Sequence, residues 1–516
     1  MHPGSNLLTA DRCVRFHALS TPQKVAISDA CGQLTYAQLD RRIDQVIDML
    51  SALGLRKGDR VAVMLRNRLE WAEILLGCAR SGIICVPVNS RFMDAEVAHV
   101  VAHSEATAVI TEVALAPRID AVRGIGSIPT ENFLLVGAEE REGYTVYENS
   151  LRTAPVVPQT EPVTESDCWF LGYTSGTTGK PKAVIINHRC RVLAACYAAI
   201  EYGVGEDDKT LLVMPLFHSN GIFFMLLLLH VGGTVHVAEE FHPEGVLRAI
   251  SEYGITLISL VPTMYAMILA LPDSVRSSYQ LASLRVTLSS SAPLLAKTKE
   301  DMLAFFPGAS IYEFYGSTEA SFVTSLKPRD QMRKLRSVGQ PFFGTEVRLL
   351  DVDGAEVAVG EVGELWSRSV MQSFDGYYND PEVTRASYLE GGWFSAGDMA
   401  TRDDEGFITI VDRKKDLIIS GGENIYPTEV ENVLARHPAI AEIAIVGMPD
   451  QTWGDRVCAV VRTQPGQTLA LDELRRWAKE RIADYKCPRE LQIWEELPKG
   501  PTGKLLRKNI RDRLAL

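Results

Sequence analysis

The segment that decides the interpretation of this chain is residues 173–182, which read Tyr-Thr-Ser-Gly-Thr-Thr-Gly-Lys-Pro-Lys. Four serine or threonine hydroxyls, two glycines and two lysines fall within these ten residues. Glycines let backbone N–H groups approach a ligand closely, hydroxyls donate hydrogen bonds, and lysines supply positive charge. The segment therefore predicts a loop that surrounds phosphate oxygens, with an ordinary polar surface turn as the alternative.

This loop differs from the phosphate loop of kinases and GTPases. That motif reads G-x-x-x-x-G-K-[ST] and leads into a helix, whereas Gly176 and Gly179 are three residues apart, Pro181 follows the lysine, and residues 183–186 are expected to form a strand. Ser175 also lacks the G-x-S-x-G frame of a serine hydrolase. A loop between two strands has no helix dipole behind it, so side chains must supply the donors.

On both sides of the loop the chain alternates between helix and strand patterns. Thr35 and Gln38 have the spacing of a capping box, and the apolar residues that follow share one helical face as far as Gly54. The same alternation resumes between 211 and 294, which predicts parallel sheets covered by helices. The segments in this pattern are the helical face Leu39, Ile43, Val46, Ile47 and Leu50, strands at 60–65 and 83–88, and a helix at 69–80.

The alternation of helix and strand patterns ends near residue 347. Glycine-rich turns separate short apolar runs as far as 412, which indicates an antiparallel sheet or a small barrel. A charged cluster at 413–416 precedes a second α/β-like pattern with a helix at 471–482. We therefore expect an α/β protein whose large N-terminal domain, 1–412, has two helix-covered sheets and a small β-barrel-like subdomain. A small α+β C-terminal domain, 413–516, should follow.

Composition excludes several classes of protein. The chain has 516 residues, 46% of them hydrophobic and 23% charged, and its net charge is −12. An acidic chain without a long basic run is a poor partner for nucleic acid or an anionic membrane. The longest apolar run, 222–229, is far shorter than the roughly 20 residues of a membrane span. Nine cysteines without a C-x-x-C pair, and a charged N-terminal segment, predict a cytoplasmic protein with reduced thiols.

Five further segments agree with the phosphate loop. They are Tyr315-Gly316-Ser317-Thr318-Glu319, Ser395-Ala396-Gly397-Asp398, Asp412-Arg413-Lys414-Lys415-Asp416, Ser420-Gly421-Gly422-Glu423-Asn424-Ile425-Tyr426-Pro427 and Pro498-Lys499-Gly500-Pro501-Thr502-Gly503-Lys504. In this order, over nearly the whole chain, they resemble the adenylate-forming superfamily: acyl-CoA synthetases, peptide-synthetase adenylation domains and firefly-type luciferases. The chain departs at Ser395 and Ala396, which replace the usual lead-in to the third motif, and at Lys415, where many relatives have an acidic residue.

The resemblance implies a reaction in which a carboxylate attacks the α-phosphorus of ATP, which gives an acyl-adenylate and pyrophosphate. Thr318 would donate to the α-phosphate and Glu319 would hold Mg²⁺. Lys504 would reach the carboxylate and the α-phosphate, because fixed positive charge offsets the repulsion between two anions. The implied phosphate ligands are Thr174, Ser175, Gly176, Thr177, Thr178, Gly179 and Lys182.

The resemblance also implies where the nucleoside of ATP binds. Asp398 would accept hydrogen bonds from the ribose hydroxyls, with Arg413 nearby. The turn Ser291-Ala292-Pro293 would pack on adenine. Tyr312 and Tyr315 are candidate stacking partners, and Gly316, next to Tyr315, would belong to the same nucleotide site.

A second step would transfer the acyl group to the thiol of CoA. The C-terminal domain of this family is mobile and rotates about a hinge, here Lys415, which withdraws Lys504. Gly421 and Gly422 would then line the path of the pantetheine arm, where the absence of side chains leaves room.

The sequence says less about the acid. His218 occupies the position of an aromatic or imidazole group in acyl-CoA synthetases, where amino-acid-activating modules usually have an aspartate; a hydrogen-bonded core histidine is the alternative. Phe217 and residues 222–225 indicate either an apolar pocket wall or core. A fatty, aromatic or alicyclic acid is favoured, and a small dicarboxylate stays open because Arg285 or His236 could pair with a second carboxylate. For Arg285 a structural role is the favoured interpretation.

The favoured function is an AMP-forming acid–CoA ligase that uses ATP, Mg²⁺ and CoA. One alternative is an acyl-AMP ligase that loads the phosphopantetheine of a carrier protein. The other is a nucleotide-binding protein without turnover. No nucleic-acid partner and no membrane span are expected, and a homodimer is open.

Overall fold

Two helix-covered sheets account for most of the chain. The structure is a computed structural model that describes residues 8–125, 128–137, 139–156, 161–174, 181–292, 294–373, 375–420, 423–500 and 505–515. Within these ranges it has four sheets, of nine, seven, six and five strands. Three belong to the N-terminal part and the five-stranded sheet belongs to the C-terminal part.

The first third of the chain builds most of the seven-stranded sheet, whose order is β7-β6-β5-β3-β4-β8-β9. All its pairs are parallel except β8 with β9. The elements to residue 187 are α1 (Arg12–Ser20), β1 (Val25–Ser28), β2 (Gln33–Thr35), α2 (Tyr36–Ala52), β3 (Arg60–Met64), α3 (Glu70–Ser81), β4 (Ile84–Pro87), α4 (Asp94–His103), β5 (Ala108–Glu112), α5 (Ala116–Asp120), β6 (Phe133–Val136), β7 (Thr145–Val146), α6 (Tyr147–Thr153), β8 (Cys168–Thr174) and β9 (Lys182–Asn187).

Helix α2 illustrates how the sequence pattern sets the structure. The Thr35 hydroxyl accepts from the Gln38 N–H at 3.3 Å, and the Gln38 side chain accepts from the Thr35 N–H at 2.8 Å, so the capping box is confirmed. The helix ends at Ala52, two residues before Gly54, which has a φ of +89°. All five residues of its expected apolar face are buried: Leu39, Ile43, Val46, Ile47 and Leu50.

The nine-stranded sheet has the order β16-β15-β14-β13-β12-β10-β11-β1-β2 and is parallel at its centre. Helix α8 is buried along residues 222–229, and its side chains share one core with residues of both large sheets, as a helix apolar all round requires. The elements are α7 (His188–Tyr202), β10 (Lys209–Leu212), α8 (Ser219–Val231), β11 (Thr234–Val237), α9 (Pro243–Tyr253), β12 (Leu257–Leu260), α10 (Pro262–Leu269), α11 (Asp273–Arg276), β13 (Val286–Ser289), α12 (Ala296–Phe305), β14 (Ser310–Ser317), β15 (Ser321–Leu326) and β16 (Gln340–Pro341).

The region expected to be an antiparallel sheet or small barrel is a six-stranded sheet in which every pair is antiparallel. It has its own small core around Leu349, Leu365 and Phe394. Its elements are β17 (Thr345–Leu350), β18 (Gly363–Ser369), α13 (Pro381–Ser387), β19 (Tyr388–Leu389), β20 (Trp393–Phe394), β21 (Asp398–Arg402) and β22 (Ile408–Arg413).

The C-terminal part is a five-stranded sheet with helices and a separate core around Ile418, Val430 and Val457. The helix expected at 471–482 is confirmed at Leu471–Lys479, and it buries Leu474 and Ala478. The elements are β23 (Ile418–Ser420), β24 (Glu423–Ile425), α14 (Pro427–Leu434), β25 (Ile440–Asp450), β26 (Gly454–Thr463), α15 (Leu471–Lys479), β27 (Glu490–Ile493) and α16 (Arg507–Leu514).

The expected mixed α/β architecture with a separate C-terminal domain is confirmed, and element ends differ from the sequence expectation by one to three residues. In the part of the chain described here, no helix combines the length and apolar character needed to cross a bilayer.

Candidate active site

A cleft of about 1840 Å³ lies where the N-terminal sheets and the C-terminal part meet. Its wall includes Thr174 and Lys182 from the ends of β8 and β9, Thr318 and Glu319 after β14, and Asp398 from β21. Gly500, residues 505–509, Arg511 and Asp512 contribute from the C-terminal part. The cleft therefore collects the separate sequence motifs in one place.

The two strands next to the phosphate loop set its position. β8 and β9 pair antiparallel, and Thr174 lies opposite Lys182, so the loop leaves and re-enters the sheet at neighbouring points. The expected strand at 183–186 is confirmed within β9. Residues 175–180, which include the predicted ligands Ser175, Gly176, Thr177, Thr178 and Gly179, lie outside the described residues.

Two histidines that the sequence analysis missed contact both sides of this loop. On α4, His103 Nδ1 is 2.9 Å from the Tyr173 hydroxyl, just before the loop, and His99 Nε2 is 3.0 Å from the Pro181 carbonyl, just after it. Burial, and then the charge of the other histidine, lowers the pKa of His103. Their four-residue spacing on one helical face was a signal that could have identified them.

Thr318 and Glu319 are held in the cleft by close backbone packing. A Cβ on Gly316 would lie 1.9 Å from the Ser321 carbonyl oxygen, and a Cβ on Gly172 of β8 would lie 3.1 Å from the Thr318 methyl. Position 316 therefore needs glycine to keep the turn between β14 and β15 in place, whereas a side chain at position 172 would require the Thr318 methyl to move by a few tenths of an ångström.

The Glu319 carboxylate has one oxygen engaged. Its Oε1 accepts from the Tyr377 hydroxyl at 2.7 Å, and among the described residues Oε2 has no hydrogen-bond partner. Burial, and then the Glu319 charge, raises the pKa of Tyr377, so the phenol remains the donor. A single carboxylate oxygen facing the cleft fits Mg²⁺ that takes its other ligands from phosphate and water.

Asp398 and Arg413 face each other across the β21–β22 pair. Arg413 Nε is 3.1 Å from Asp398 Oδ1, and the Tyr315 hydroxyl donates to Oδ2 at 2.6 Å. Burial, and then the Asp398 charge, raises the pKa of Tyr315 well above its usual range. The three predicted residues are thus brought together, and both carboxylate oxygens of Asp398 are engaged.

Of the described residues that were expected to bind adenine, some line the cleft and Tyr312 does not. Ser291 and Ala292 lie in the cleft wall at the end of β13, and Ser291 has a φ of +69°, a strained conformation for a non-glycine residue. Pro293 lies outside the described residues. Tyr312 does not line the cleft; its ring packs edge-on against Tyr202 at 5.0 Å. Because strand side chains alternate, Tyr312 and Tyr315, three residues apart on β14, face opposite sides.

His218 lies at the N-terminus of α8, where its Nδ1 accepts from the Asn220 N–H at 3.2 Å. Burial, and to a smaller extent the nearby Arg191 charge, lowers the pKa of His218 to about 4. The imidazole is therefore neutral near pH 7 and lines the cleft with Phe217 and Phe223. The remaining apolar residues of this run, Ile222, Phe224 and Met225, belong to the core.

Neither residue considered for a second carboxylate reaches the cleft. Arg285 forms an ion pair with Asp208 and donates to the Gly203 carbonyl at 2.7 Å, so its role is structural. His236 Nδ1 is 2.9 Å from the Ser28 hydroxyl, far along the sheet at β11. Arg191 in the first turn of α7, which the sequence analysis missed, does line the cleft.

The structure describes only some of the residues that were expected to form the hinge, the glycine loop and the lysine loop of the C-terminal domain. Gly421, Gly422 and Lys504 lie outside the described residues, as does the side chain of Lys415. The residues flanking 501–504 are placed: Lys499 pairs with Leu505 as an isolated bridge, and Gly500 and Leu505 line the cleft. Close by, Arg507 forms a buried ion pair with Glu431 at 2.7 Å.

Comparisons with known proteins agree with this geometry. The family model described as AMP-binding enzyme matches residues 14–378, and that of the AMP-binding enzyme C-terminal domain matches 429–504. A feruloyl-CoA synthase of Amycolatopsis sp is 36% identical over 500 residues, which cover 96% of this chain and 97% of the relative. The fatty acid–[acyl-carrier-protein] ligase ScoC of Streptomyces coeruleorubidus is 33% identical over 527 residues, with coverage of 99% and 97%.

Among solved structures, the anthranilate CoA ligase AuaEII in complex with anthranoyl-AMP superposes with a TM-score of 0.91 and 27% identity, and covers 100% of this chain and 98% of its own. The expected phosphate loop, nucleotide motifs and separate C-terminal domain thus coincide with a family match over most of the chain. The chain therefore belongs to the family of AMP-binding enzymes, as an AMP-forming acid–thiol ligase of the adenylate-forming superfamily that its motifs resemble.

Proposed function

We propose that this protein activates an aromatic or otherwise apolar carboxylic acid as its adenylate and transfers the acyl group to CoA. The observation that carries the proposal is the single cleft in which Thr318, Glu319, Asp398 and residues on both sides of 501–504 meet. The aromatic substrates in the printed names of two similar proteins, ferulate and anthranilate, support this substrate class.

In the first step the protein neutralises and orients ATP. Thr318 donates to the α-phosphate, and Glu319 holds Mg²⁺, which supplies charge to the phosphates. Asp398, fixed by Tyr315 and Arg413, accepts from the ribose. Charge and donors fixed in advance lower the barrier because they need no reorganisation when negative charge develops. The residues assigned to bind the phosphate oxygens of ATP are Thr174, Ser175, Gly176, Thr177, Thr178, Gly179 and Lys182.

The adenine subsite is assigned to Ser291, Ala292 and Pro293 on one side and to Tyr315 with Gly316 on the other. The cleft position of Ser291, Ala292, Tyr315 and Gly316 supports this assignment. Tyr312 is not part of it, since its ring packs in the core.

The acid binds beside His218, between Phe217 and Phe223. An uncharged imidazole and two aromatic rings favour an apolar acyl group, because burying such a group removes apolar surface from water without leaving a charge unpaired. Amino acids are disfavoured because no carboxylate stands at position 218 to pair with a substrate ammonium.

Lys504 carries the charge that the acid and the α-phosphate need during attack. The cleft position of Gly500 and Leu505, the described residues on either side of 501–504, supports this role. For the second step we propose that the domain after residue 412 turns about Lys415. Gly421 and Gly422 then admit the thiol. The change from one sheet to another between Arg413 and Ile418 supports this boundary.

The reaction is tested with purified protein, ATP, Mg²⁺ and a panel of aromatic, alicyclic and fatty acids, with and without CoA. Release of pyrophosphate that depends on the acid, and an acyl-CoA product when CoA is added, is the expected result. No pyrophosphate with any acid would indicate a protein without turnover.

A carrier-protein acceptor is the second candidate, favoured by the similarity to the carrier-protein ligase ScoC. It predicts pyrophosphate release without acyl-CoA formation, and acyl transfer only to an added phosphopantetheinyl carrier protein. A cytoplasmic location also remains a proposal; it is supported by nine cysteines that are all unpaired.

A further inference from the structure

Arg191 is a buried arginine in the wall of the cleft. It lies in the first turn of α7, only 4% of its surface is exposed, and it is surrounded by residues of β8, α8 and the turn after β14. No step of the proposed reaction uses it. A buried guanidinium is costly unless a carboxylate or several acceptors surround it.

The contacts of Arg191 leave much of its charge uncompensated. Nη2 donates to the Thr318 carbonyl and to the Ser219 hydroxyl, both at 2.8 Å. Nε is buried without a hydrogen-bond partner. Among the described residues no carboxylate forms an ion pair with Arg191, although the more distant charge of Glu319 acts on its guanidinium. The side chain of Phe170 lies 5.9 Å from the guanidinium carbon.

Other well-buried arginines of the chain differ in this respect. Arg507 pairs with Glu431 at 2.7 Å, and Arg80 pairs with three aspartates, among them Asp11 at 2.9 Å. Burial correspondingly lowers the pKa of Arg191, whereas ion pairs raise those of the other two. Arg191 therefore differs from both in having no ion-pair partner among the described residues, and only the more distant Glu319 and Cys190 favour its charged form.

A second buried polar atom faces the same region. Asn220 lines the cleft one residue after Ser219, and its Oδ1 is buried without a partner, while Nδ2 donates to the Ser290 hydroxyl at a long 3.4 Å. An amide can turn to present either atom to a ligand. Arg191, Ser219 and Asn220 thus form a polar patch in an otherwise aromatic wall.

We propose that Arg191, with Ser219 and Asn220 beside it, binds a second carboxylate on the acid substrate, so that the preferred substrates are aromatic dicarboxylic acids. This inference rests on the proposed function, because it names a subsite of the same acid pocket. Both Nη2 hydrogens are already donated to protein acceptors, whereas Nη1 has no partner among the described residues and can donate charge-assisted hydrogen bonds to a carboxylate. Arg191 thereby takes the role that the sequence had offered to Arg285 or His236.

The test uses acids that differ only in a second carboxylate: phenylacetate against 2-carboxyphenylacetate, and 3-phenylpropanoate against 3-(2-carboxyphenyl)propanoate. Pyrophosphate release gives kcat/KM for each. We expect the wild-type protein to prefer the dicarboxylate of at least one pair. Arg191→Met should lower that preference about 10- to 100-fold, as expected for hydrogen bonds to a charged group, and Arg191→Lys should lower it less.

Arg189→Met is the matched control, because Arg189 lies on the same helix but is exposed and pairs with Glu165; it should leave the preference unchanged. An equal loss on both acids of a pair in Arg191→Met would overturn the proposal and assign Arg191 to positioning Thr318. If the variants fail to fold, a wild-type preference for the monocarboxylate in every pair contradicts it equally. If none of the acids causes pyrophosphate release, that result would instead contradict the proposed function.

Discussion

The two ends of the cleft differ in how their charged groups are satisfied. At the nucleotide end, Asp398 is bound by Arg413 and Tyr315, and Glu319 is bound by Tyr377. At the acyl end, Arg191 has no carboxylate partner among the described residues, and His218 is uncharged. On the proposed assignment, the residues that bind the nucleotide are therefore oriented by internal hydrogen bonds, whereas the acyl end is completed by the bound substrate.

This difference has a physical basis. A carboxylate that must meet a ribose or a metal ion in one geometry loses less entropy on binding when the protein already fixes its rotamer. A buried positive charge without a partner costs free energy until an anion arrives, so it discriminates between ligands with and without that anion.

The largest effect is expected at the nucleotide end, from Lys504→Ala. Loss of one donor of charge to the transition state should lower adenylate formation about 10²- to 10³-fold. The rate of pyrophosphate release measures this step. Thioester formation from supplied acyl-adenylate and CoA should be nearly intact, because Lys504 has left the site by then.

Lys479→Ala is the control for this variant, since Lys479 is an exposed lysine of the same domain that pairs with Asp484. Equal losses in the two steps of Lys504→Ala would contradict the assigned role of this lysine.

The next effect tests whether the nucleotide end is pre-oriented. Asp398→Asn removes the charge that holds Arg413 and accepts from Tyr315, so the KM for ATP should rise about 10- to 100-fold. Tyr315→Phe removes only one of these contacts and should have a smaller effect. Steady-state kinetics with varied ATP measures both, and an unchanged KM for ATP in Asp398→Asn would remove Asp398 from the nucleotide site.

A smaller effect is expected from Tyr377→Phe, which removes the hydrogen bond to Glu319. An outer contact of this kind typically changes metal affinity about tenfold or more. The Mg²⁺ concentration for half-maximal pyrophosphate release should therefore rise by about that factor. Tyr378→Phe is the control, because this neighbouring phenol contacts Glu105 instead. The same Mg²⁺ dependence in both variants would argue against Glu319 as the metal ligand.

The smallest effect concerns the acyl end and pH. His218 has a pKa of about 4 in the folded protein, below the ordinary value of 6.5, so the unfolded chain binds more protons than the folded one between these values. His218 therefore lowers the free energy of unfolding as pH falls from about 6.5 towards 4, and contributes no such change above 6.5. Denaturant unfolding at pH 5 and 7.5 measures it.

His218→Asn should reduce the loss of stability between these two pH values, and exposed His242 provides a control variant, His242→Asn. If the two variants and the wild type all lose the same free energy on acidification, the pKa of His218 is not lowered in the folded protein, and the imidazole is charged there at pH 5.

Much of the fold followed from local patterns. The capping box at Thr35, the apolar face of α2 and the alternation of helices and strands were sufficient, because hydrophobic periodicity and caps act within one element. The nucleotide motifs were equally accessible, since each places several functional residues next to one another in the chain.

Residues whose role depends on contacts between distant segments were harder to predict. Tyr312 was assigned to the cleft because of its neighbours in sequence, but its strand turns it towards Tyr202. Arg285 forms an ion pair with Asp208, which is 77 residues away in the sequence, and so does not face the cleft. Arg191 was missed because a lone arginine in a helix carries no signal of burial.

The sequence by itself determined the class of reaction, since contiguous motifs contain the proposed phosphate, ribose and metal ligands and their chemistry depends on residue type. Only the tertiary structure decided the acyl end, because burial and the pairing of charges depend on which distant segments pack together. A guanidinium group forms a structural ion pair at Arg285, whereas at Arg191 it has no ion-pair partner among the described residues, and only the packing of distant segments distinguishes the two.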